Sequence, residues 1–250
     1  MASGDTDIGI YRKTNQDSVL IKYAETKFGE ILFAAVCDGM GGLAKGEIAS
    51  AAVVWDFSEW FDRELPGELP NIDFGIIGNK WELKLKELNA RIRDYGKKIG
   101  VSMGTTFTGV LMFGEQYLLA HVGDTRLYHI SEESRLLTED QTVSARAVRR
   151  GEMTAEEARA DKRQHTLLQC IGASKRVEPQ ISSGRIEKGV YVLCSDGFRH
   201  KISREEMQRS LNPKTLSDKR MMHDHARYLI DLVKSREEKD NISVVLIKVE

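Results

Sequence analysis

Four aspartates in this chain stand where apolar runs break. ILFAAVCDGMGG at 31–42 and VYVLCSDGF at 190–198 both run into Asp-Gly, placing Asp38 and Asp196. YLLAHVGDTRLY at 117–128 delivers Gly123-Asp124, and Asp240 precedes Asn241 ahead of the run ISVVLIKV. A core strand is buried along its length, whereas the loop at its end is exposed and still rigidly held. Aspartates in such loops can therefore be gathered in one cleft. Several carboxylates cannot all stay ionised in a small space unless cations compensate them. Oxygen-only donors favour Mg²⁺ or Mn²⁺ over Zn²⁺, which prefers His and Cys, and no His cluster accompanies the four aspartates along the chain. Glycine after Asp38 and after Asp196 permits a sharp turn and lets a backbone carbonyl face a metal. A single Asp-Gly is more often an ordinary turn than a site, so the joint pattern carries the reading.

The elements that must position these residues follow from periodicity. Residues 17–23 and 31–37 read as strands joined by a turn at Gly29. Helical spacing from Ala44 to Arg63 ends at Pro66-Gly67, and a second helix is predicted from Asn79 to Lys98 with Gly100 just past its end. Strands are predicted at 106–113, 116–122, 126–131, 181–187, 190–195 and 242–249, and a long helix around 215–236. Residues 139–172 read as a charged, helical surface excursion. Strand pairs separated by helix pairs lack the strict βαβ alternation of a parallel sheet and predict an α+β class, antiparallel sheets with helices packed outside. A strand as first and last element favours one closed domain, residues 1–250.

Composition narrows the function classes. A formal net charge of -1 argues against a general nucleic-acid binder. The apolar runs fall far short of the ~20 residues a spanning helix needs, so no membrane insertion is expected, and the N-terminus lacks the basic start and apolar stretch of a signal peptide. Cys37, Cys170 and Cys194 are an odd count, two of them inside apolar runs. They read as reduced, buried thiols of a cytoplasmic protein.

At this point a resemblance becomes specific. TDIGIYRKTNQDS (6–18), VCDGMGG with GEIAS (46–50), SMGTTFTGV (102–110), LAHVGDTRLY (119–128), LTEDQT, RRGEMTAEEAR, LLQCIG, LCSDGF and DNISVV resemble, in order and from end to end, the motifs of the metal-dependent serine/threonine protein phosphatases of the PP2C (PPM) family, in its bacterial form. The resemblance implies a β-sandwich of two antiparallel sheets flanked by helix pairs, a four-layer α-β-β-α arrangement. It implies two Mn²⁺ or Mg²⁺ ions bridged by Asp38, with the Gly39 carbonyl on one and Asp196 and Asp240 on the other. A third ion would lie between Asp124 and Asp196. Arg12 matches the arginine that grips the substrate phosphate, bidentately as a lysine cannot. Asp17 falls where the family has an acid that orients metal-bound water from behind the ligands. The implied reaction is attack of a metal-bridging hydroxide on phosphoserine or phosphothreonine in proteins, substrates of a serine/threonine kinase. The contrasting reading is a catalytically weak scaffold or regulator that binds phosphoproteins on the same fold.

The chain also departs from the family pattern. Met40 stands where eukaryotic relatives carry a histidine, which leaves the general acid unassigned, and Gln16 replaces a common Glu. Gln141 replaces a His. In the flap at 145–165, Asp161 reads as a solvated helix end, with completion of the third metal site as its alternative. Arg199, His200 and Lys201 form a basic trio after SDGF, by default an exposed charged loop. Cys170 to Arg176 fits the Cys-x5-Arg phosphate loop of cysteine phosphatases, but HTLLQ before it reads as a helix, so a buried structural cysteine is expected there. His121 reads as a satisfied core residue.

Overall fold

In the computed structural model, residues 1–40 and 45–250 are described. The chain runs through β1 (Ala2–Asp7), β2 (Ser18–Thr26), β3 (Gly29–Cys37), α1 (Gly46–Arg63), α2 (Leu65–Glu68), a 3₁₀ turn at Leu69–Asn71, α3 (Phe74–Ile99), β4 (Phe107–Phe113), β5 (Gln116–Val122), β6 (Arg126–Ile130) and β7 (Ser134–Leu136). It continues through α4 (Val143–Arg149), α5 (Ala155–Ala160), β8 (Gln180–Arg185), β9 (Gly189–Cys194), α6 (Asp196–Arg199), α7 (Arg204–Ser210), α8 (Lys219–Ser235) and β10 (Ile242–Val249).

The strands form two antiparallel sheets, in the orders β2-β3-β4-β5-β8 and β1-β10-β9-β6-β7. Each central strand is buried on both faces, which is why its sequence is nearly continuous in apolar residues rather than alternating. In β3, Ala34 and Val36 face the second sheet, where they meet Tyr191, Leu193 and Val245. Phe33, Ala35 and Cys37 face the opposite way, into a layer built with α1 and α3. β9 splits the same way: Tyr191 and Leu193 point inward, while Val190, Val192 and Cys194 pack beneath α8. The result is helices, sheet, sheet, helices, as expected.

The outer core on the α1–α3 side is aromatic. Phe57 stacks on Phe107 at 4.5 Å between ring centres, and Trp81 meets Trp60, Phe57 and Phe33 edge-on. At roughly 25 cal/mol per Å² and about 200 Å² per ring, each contributes on the order of 5 kcal/mol by burial. That stiffness anchors the strand ends from which the aspartates project.

Three differences from the sequence reading have physical causes. β1 was not expected, because ASGDTD has no apolar pattern. It is an edge strand paired with β10, and its Asp5 and Asp7 are held by Arg227 and Lys234 of α8. α3 begins before Asn79 because the Asp73 carboxylate caps it, accepting from the Gly75 and Ile76 amides. The predicted helix over HTLLQ is absent. Instead Leu167 bridges Thr142, and Ile171 exchanges two backbone hydrogen bonds of 2.9 Å with Thr105, so long-range pairing overrides local helix propensity. Gly41, Gly42 and Ala44, the last glycines of the DGMGG motif and the predicted start of the first helix, lie outside the described residues.

Candidate active site

Asp38, Asp124, Asp196 and Asp240 are delivered to one end of the sandwich by the ends of β3, β5 and β9 and the approach to β10. The two Asp-Gly steps are required by close packing. A Cβ on Gly39 would lie 2.3 Å from the Gln16 carbonyl, and one on Gly197 would lie 2.1 Å from the Asn241 carbonyl. Glycine therefore lets the Asp38 turn press against the Arg12 loop and the Asp196 turn press against Asp240-Asn241. Thr105 and Thr106 fix the backbone of Asp38: the Asp38 amide donates to Thr106 Oγ1 at 2.9 Å, and Thr105 Oγ1 donates to the Asp38 carbonyl at 2.9 Å.

The electrostatics show that the carboxylates share one space. Burial pushes the Asp38 carboxyl well above its usual range, and Asp17, Asp196, Asp124 and Asp240 each add to the rise. Asp17, 8% exposed, is pushed up to about 7, by burial first and then by Asp196. Asp124, 4% exposed, is likewise pushed to about 7 by burial and Asp196, against the opposing pull of Arg199. Burial also works against ionisation of Asp196, yet His200 and Arg199 hold its pKa below the usual value. Both oxygens of Asp17 and Oδ1 of Asp196 are buried without a hydrogen-bond partner. Orphaned carboxylate oxygens of this kind are uncommon in folded proteins, and hard divalent cations satisfy them, so this donor set fits Mg²⁺ or Mn²⁺.

Arg12 enters the same cleft. Its Nε and Nη2 donate to Asp240 Oδ1 and Oδ2 at 3.0 and 2.8 Å, a two-point ion pair. The loop that carries it is tied to the site by Asn241, whose side chain donates to the Ile8 and Thr14 carbonyls and accepts from the Gln16 amide. Gln16 itself turns away and donates to Glu47. The Met40 amide donates to the Gly104 carbonyl. Gln141 holds the turn before Asp124, its Oε1 accepting from the Gly123 amide at 2.8 Å.

Sequence reasoning missed several neighbours. Asp140 is gripped at two points by Arg126, while Arg199 lies 3.5 Å from Asp124 Oδ2 and 3.9 Å from Asp140 Oδ2. Arg199 is thus part of the site's charge balance and not merely an exposed loop residue. Glu238 was also unread. So was the meeting of His165 with His200 beside Asp196, which corrects the expectation that no histidines accompany the aspartates. No sequence spacing signals that meeting, because the two come from separate loops.

Asp161 closes on Arg163, with Oδ1 and Oδ2 accepting at 3.1 and 2.8 Å, in keeping with a charged helix end. His121 Nε2 donates to the Glu139 carbonyl at 3.1 Å, and its Nδ1 accepts from the Thr108 hydroxyl at 2.9 Å. Burial lowers its pKa to about 4, so it is a neutral core residue. Cys170 is buried, in an irregular segment rather than a helix, and burial raises its pKa. A thiol held protonated is a poor nucleophile. Cys170→Ser should keep turnover within about twofold of wild type, checked by steady-state kinetics; loss of activity in that variant with chelation harmless would favour cysteine chemistry.

Against this geometry, comparison with known proteins is specific. The Protein phosphatase 2C family profile matches residues 12–245, and the chain belongs to that family. A relative described as a putative protein phosphatase 2C-type, from Streptococcus pyogenes, is 33% identical over 246 residues, spanning 97% of this chain and 94% of that protein. The crystal structure of the serine/threonine phosphatase Stp1 from Staphylococcus aureus superposes with a TM-score of 0.87 at 28% identity, covering 100% of this chain and 94% of that one. The catalytic domain of the serine/threonine protein phosphatase PstP, solved in complex with two manganese ions, superposes with a TM-score of 0.78 at 29% identity, covering 98% and 96%.

Proposed function

We propose that residues 1–250 form a single catalytic domain that hydrolyses phosphoserine and phosphothreonine in proteins with Mn²⁺ or Mg²⁺. The observation that carries this reading is the convergence of Asp38, Asp124, Asp196 and Asp240 in one cleft, with Asp196 Oδ1 buried and unpartnered, on a chain of the PP2C family. Asp38 would hold both ions of a pair, with the Gly39 carbonyl on one and Asp196 and Asp240 completing the other. Asp124 and Asp196 are the donors for a third. When bound, the cations supply an acidified water as nucleophile and neutralise charge developing on the phosphoryl oxygens.

The chain's own residues do the rest. Asp17, buried behind Asp38, is placed to accept a proton from water held by the ligands. Arg12 grips Asp240 at two points; with Asp240 committed as a metal ligand, the guanidinium would be free to take two phosphate oxygens in the same forked geometry. Next to His200 opens a cavity of about 1060 Å³ where Arg126, Arg159, Arg199, Lys201, Arg204 and Lys239 outnumber the acids Glu205 and Glu238. Such a surface attracts anionic, phosphorylated protein segments. The substrates are those of a serine/threonine kinase in the cytoplasm; among the described residues no helix is long and apolar enough to cross a membrane.

Arg12→Ala should raise KM for a phosphothreonine peptide roughly 10- to 100-fold with a smaller fall in kcat, the range of a lost charge-assisted hydrogen bond or two. An unchanged KM would remove Arg12 from phosphate binding.

A further inference from the structure

His165, in the turn after α5, and His200, at the end of α6, pack with ring centres 4.4 Å apart and planes at 71°. His200 Nε2 lies 3.4 Å from Asp196 Oδ2, and His165 Nδ1 lies 4.0 Å from the same oxygen. One ligand atom from each of the three falls within 4.8 Å of the others. On the far side of His200, its Nδ1 faces Glu238 Oε2 at 3.8 Å. Glu238 is only 4% exposed, and its Oε2 has no hydrogen-bond partner, nor has His200 Nε2. Its other oxygen is occupied by the Lys239 and Asp240 amides, so its position is fixed. Two imidazoles, a shared carboxylate and a buried acid behind one ring are thus brought together, with His200 Nε2 and Glu238 Oε2 lacking hydrogen-bond partners.

We propose that His165, His200 and Asp196 form a further cation site of mixed nitrogen and oxygen donors that takes a Zn²⁺-class transition metal ion, with Glu238 orienting His200. The donor set differs in kind from the all-oxygen cluster beside it: imidazole suits Zn²⁺ and its neighbours, whereas carboxylate and carbonyl oxygens suit Mg²⁺ and Mn²⁺. Zinc bonds of about 2.0–2.2 Å place tetrahedral ligand atoms about 3.3 Å apart. The Asp196–His200 spacing already meets that figure, and His165, half exposed on a turn, needs only a small rotation. A carboxylate behind a ligating histidine fixes its tautomer and raises its basicity, the place Glu238 holds. Arg199, a neighbouring positive charge, is engaged by Asp124 and Asp140.

Asp196 faces the histidines through Oδ2, and the same carboxylate is a ligand of the proposed catalytic cluster. On the phosphatase reading above, an ion held by the histidines therefore draws on a carboxylate the catalytic cations need, and Zn²⁺ lowers turnover supported by Mg²⁺.

The experiment titrates Zn²⁺ calorimetrically into the full chain with Mg²⁺ in large excess to occupy the oxygen donors, and uses Co²⁺ as a visible-absorption probe. Wild type should bind one Zn²⁺ more per chain than His165→Asn/His200→Gln, and its Co²⁺ adduct should show imidazole-type d–d bands that the double variant lacks. Glu238→Gln should weaken Zn²⁺ binding roughly tenfold. His165→Asn alone, at an exposed position, guards against misfolding of the double variant and should also lose the extra ion. Equal Zn²⁺ stoichiometry in wild type and both histidine variants would overturn the proposal. Absence of phosphatase activity in wild type would leave this stoichiometry unchanged, so the two readings fail separately.

Discussion

Asp38→Asn should lose at least about 10³-fold in turnover and yet melt at a higher temperature than wild type when both are stripped of metal. The activity loss follows because Asp38 feels Asp17, Asp196, Asp124 and Asp240 together, a position from which a donor can serve two cations. Weakening both ions forfeits several kcal/mol of charge stabilisation in the transition state, and each ~1.4 kcal/mol is tenfold in rate. The stability gain follows from the same geometry. Without cations, Asp38 is a buried acid among buried acids, and an isosteric amide removes that repulsion while leaving the backbone bonds to Thr105 and Thr106 in place. Thermal unfolding in chelator, set beside turnover with Mn²⁺, measures both effects. A variant that loses activity and stability together would make Asp38 a structural residue instead.

The second large effect is on pH. Asp17 and Asp124 carry folded pKa values of about 7, against an ordinary 3.8. Between about pH 4 and about pH 7 the folded chain, free of metal, therefore holds protons that the unfolded chain has released. Stability rises with pH only where the unfolded state binds more protons, so here it must fall as pH rises through that window. Asp196, with its lowered pKa, acts oppositely: its contribution is lost as pH falls, and only below the usual carboxylate range. Because the groups are coupled, the net decline is on the order of a few kcal/mol rather than a sum of separate shifts. Cations compete with the same protons, so stabilisation by Mn²⁺ should grow across the window. Denaturant unfolding at about pH 5 and about pH 8, with chelator and with Mn²⁺, tests this. Chelated protein equally stable at both would mean that burial and mutual repulsion do not raise these carboxyls as the geometry requires.

The parts of this molecule that were legible in its sequence share a cause. β3, β4, β5, β9 and β10 are buried on both faces, so their runs are continuous, and an aspartate that ends such a run has few places to point. Close backbone approach explains why glycine follows Asp38 and Asp196. What stayed illegible depends on contacts between distant segments. β1 is polar and gains its place from β10 and the α8 cations. Asn241 has no role assigned by the sequence, where it stands only inside the motif DNISVV, and gains one from its hold on the Arg12 loop. Arg199, Asp140 and Glu238 acquire meaning only from one another, and His165 meets His200 because pairing of Thr105 with Ile171 and of Thr142 with Leu167 draws the flap's base onto the sandwich. The helix expected at HTLLQ failed for the same reason.

The most direct test is hydrolysis of p-nitrophenyl phosphate and of a phosphothreonine peptide by chelator-stripped protein, before and after Mn²⁺ is restored. A metal-dependent phosphatase predicts no turnover of either compound in excess chelator and recovery of both with Mn²⁺. Binding of the phosphopeptide without Mn²⁺-stimulated release of phosphate would contradict the account and leave a phosphoprotein-binding scaffold.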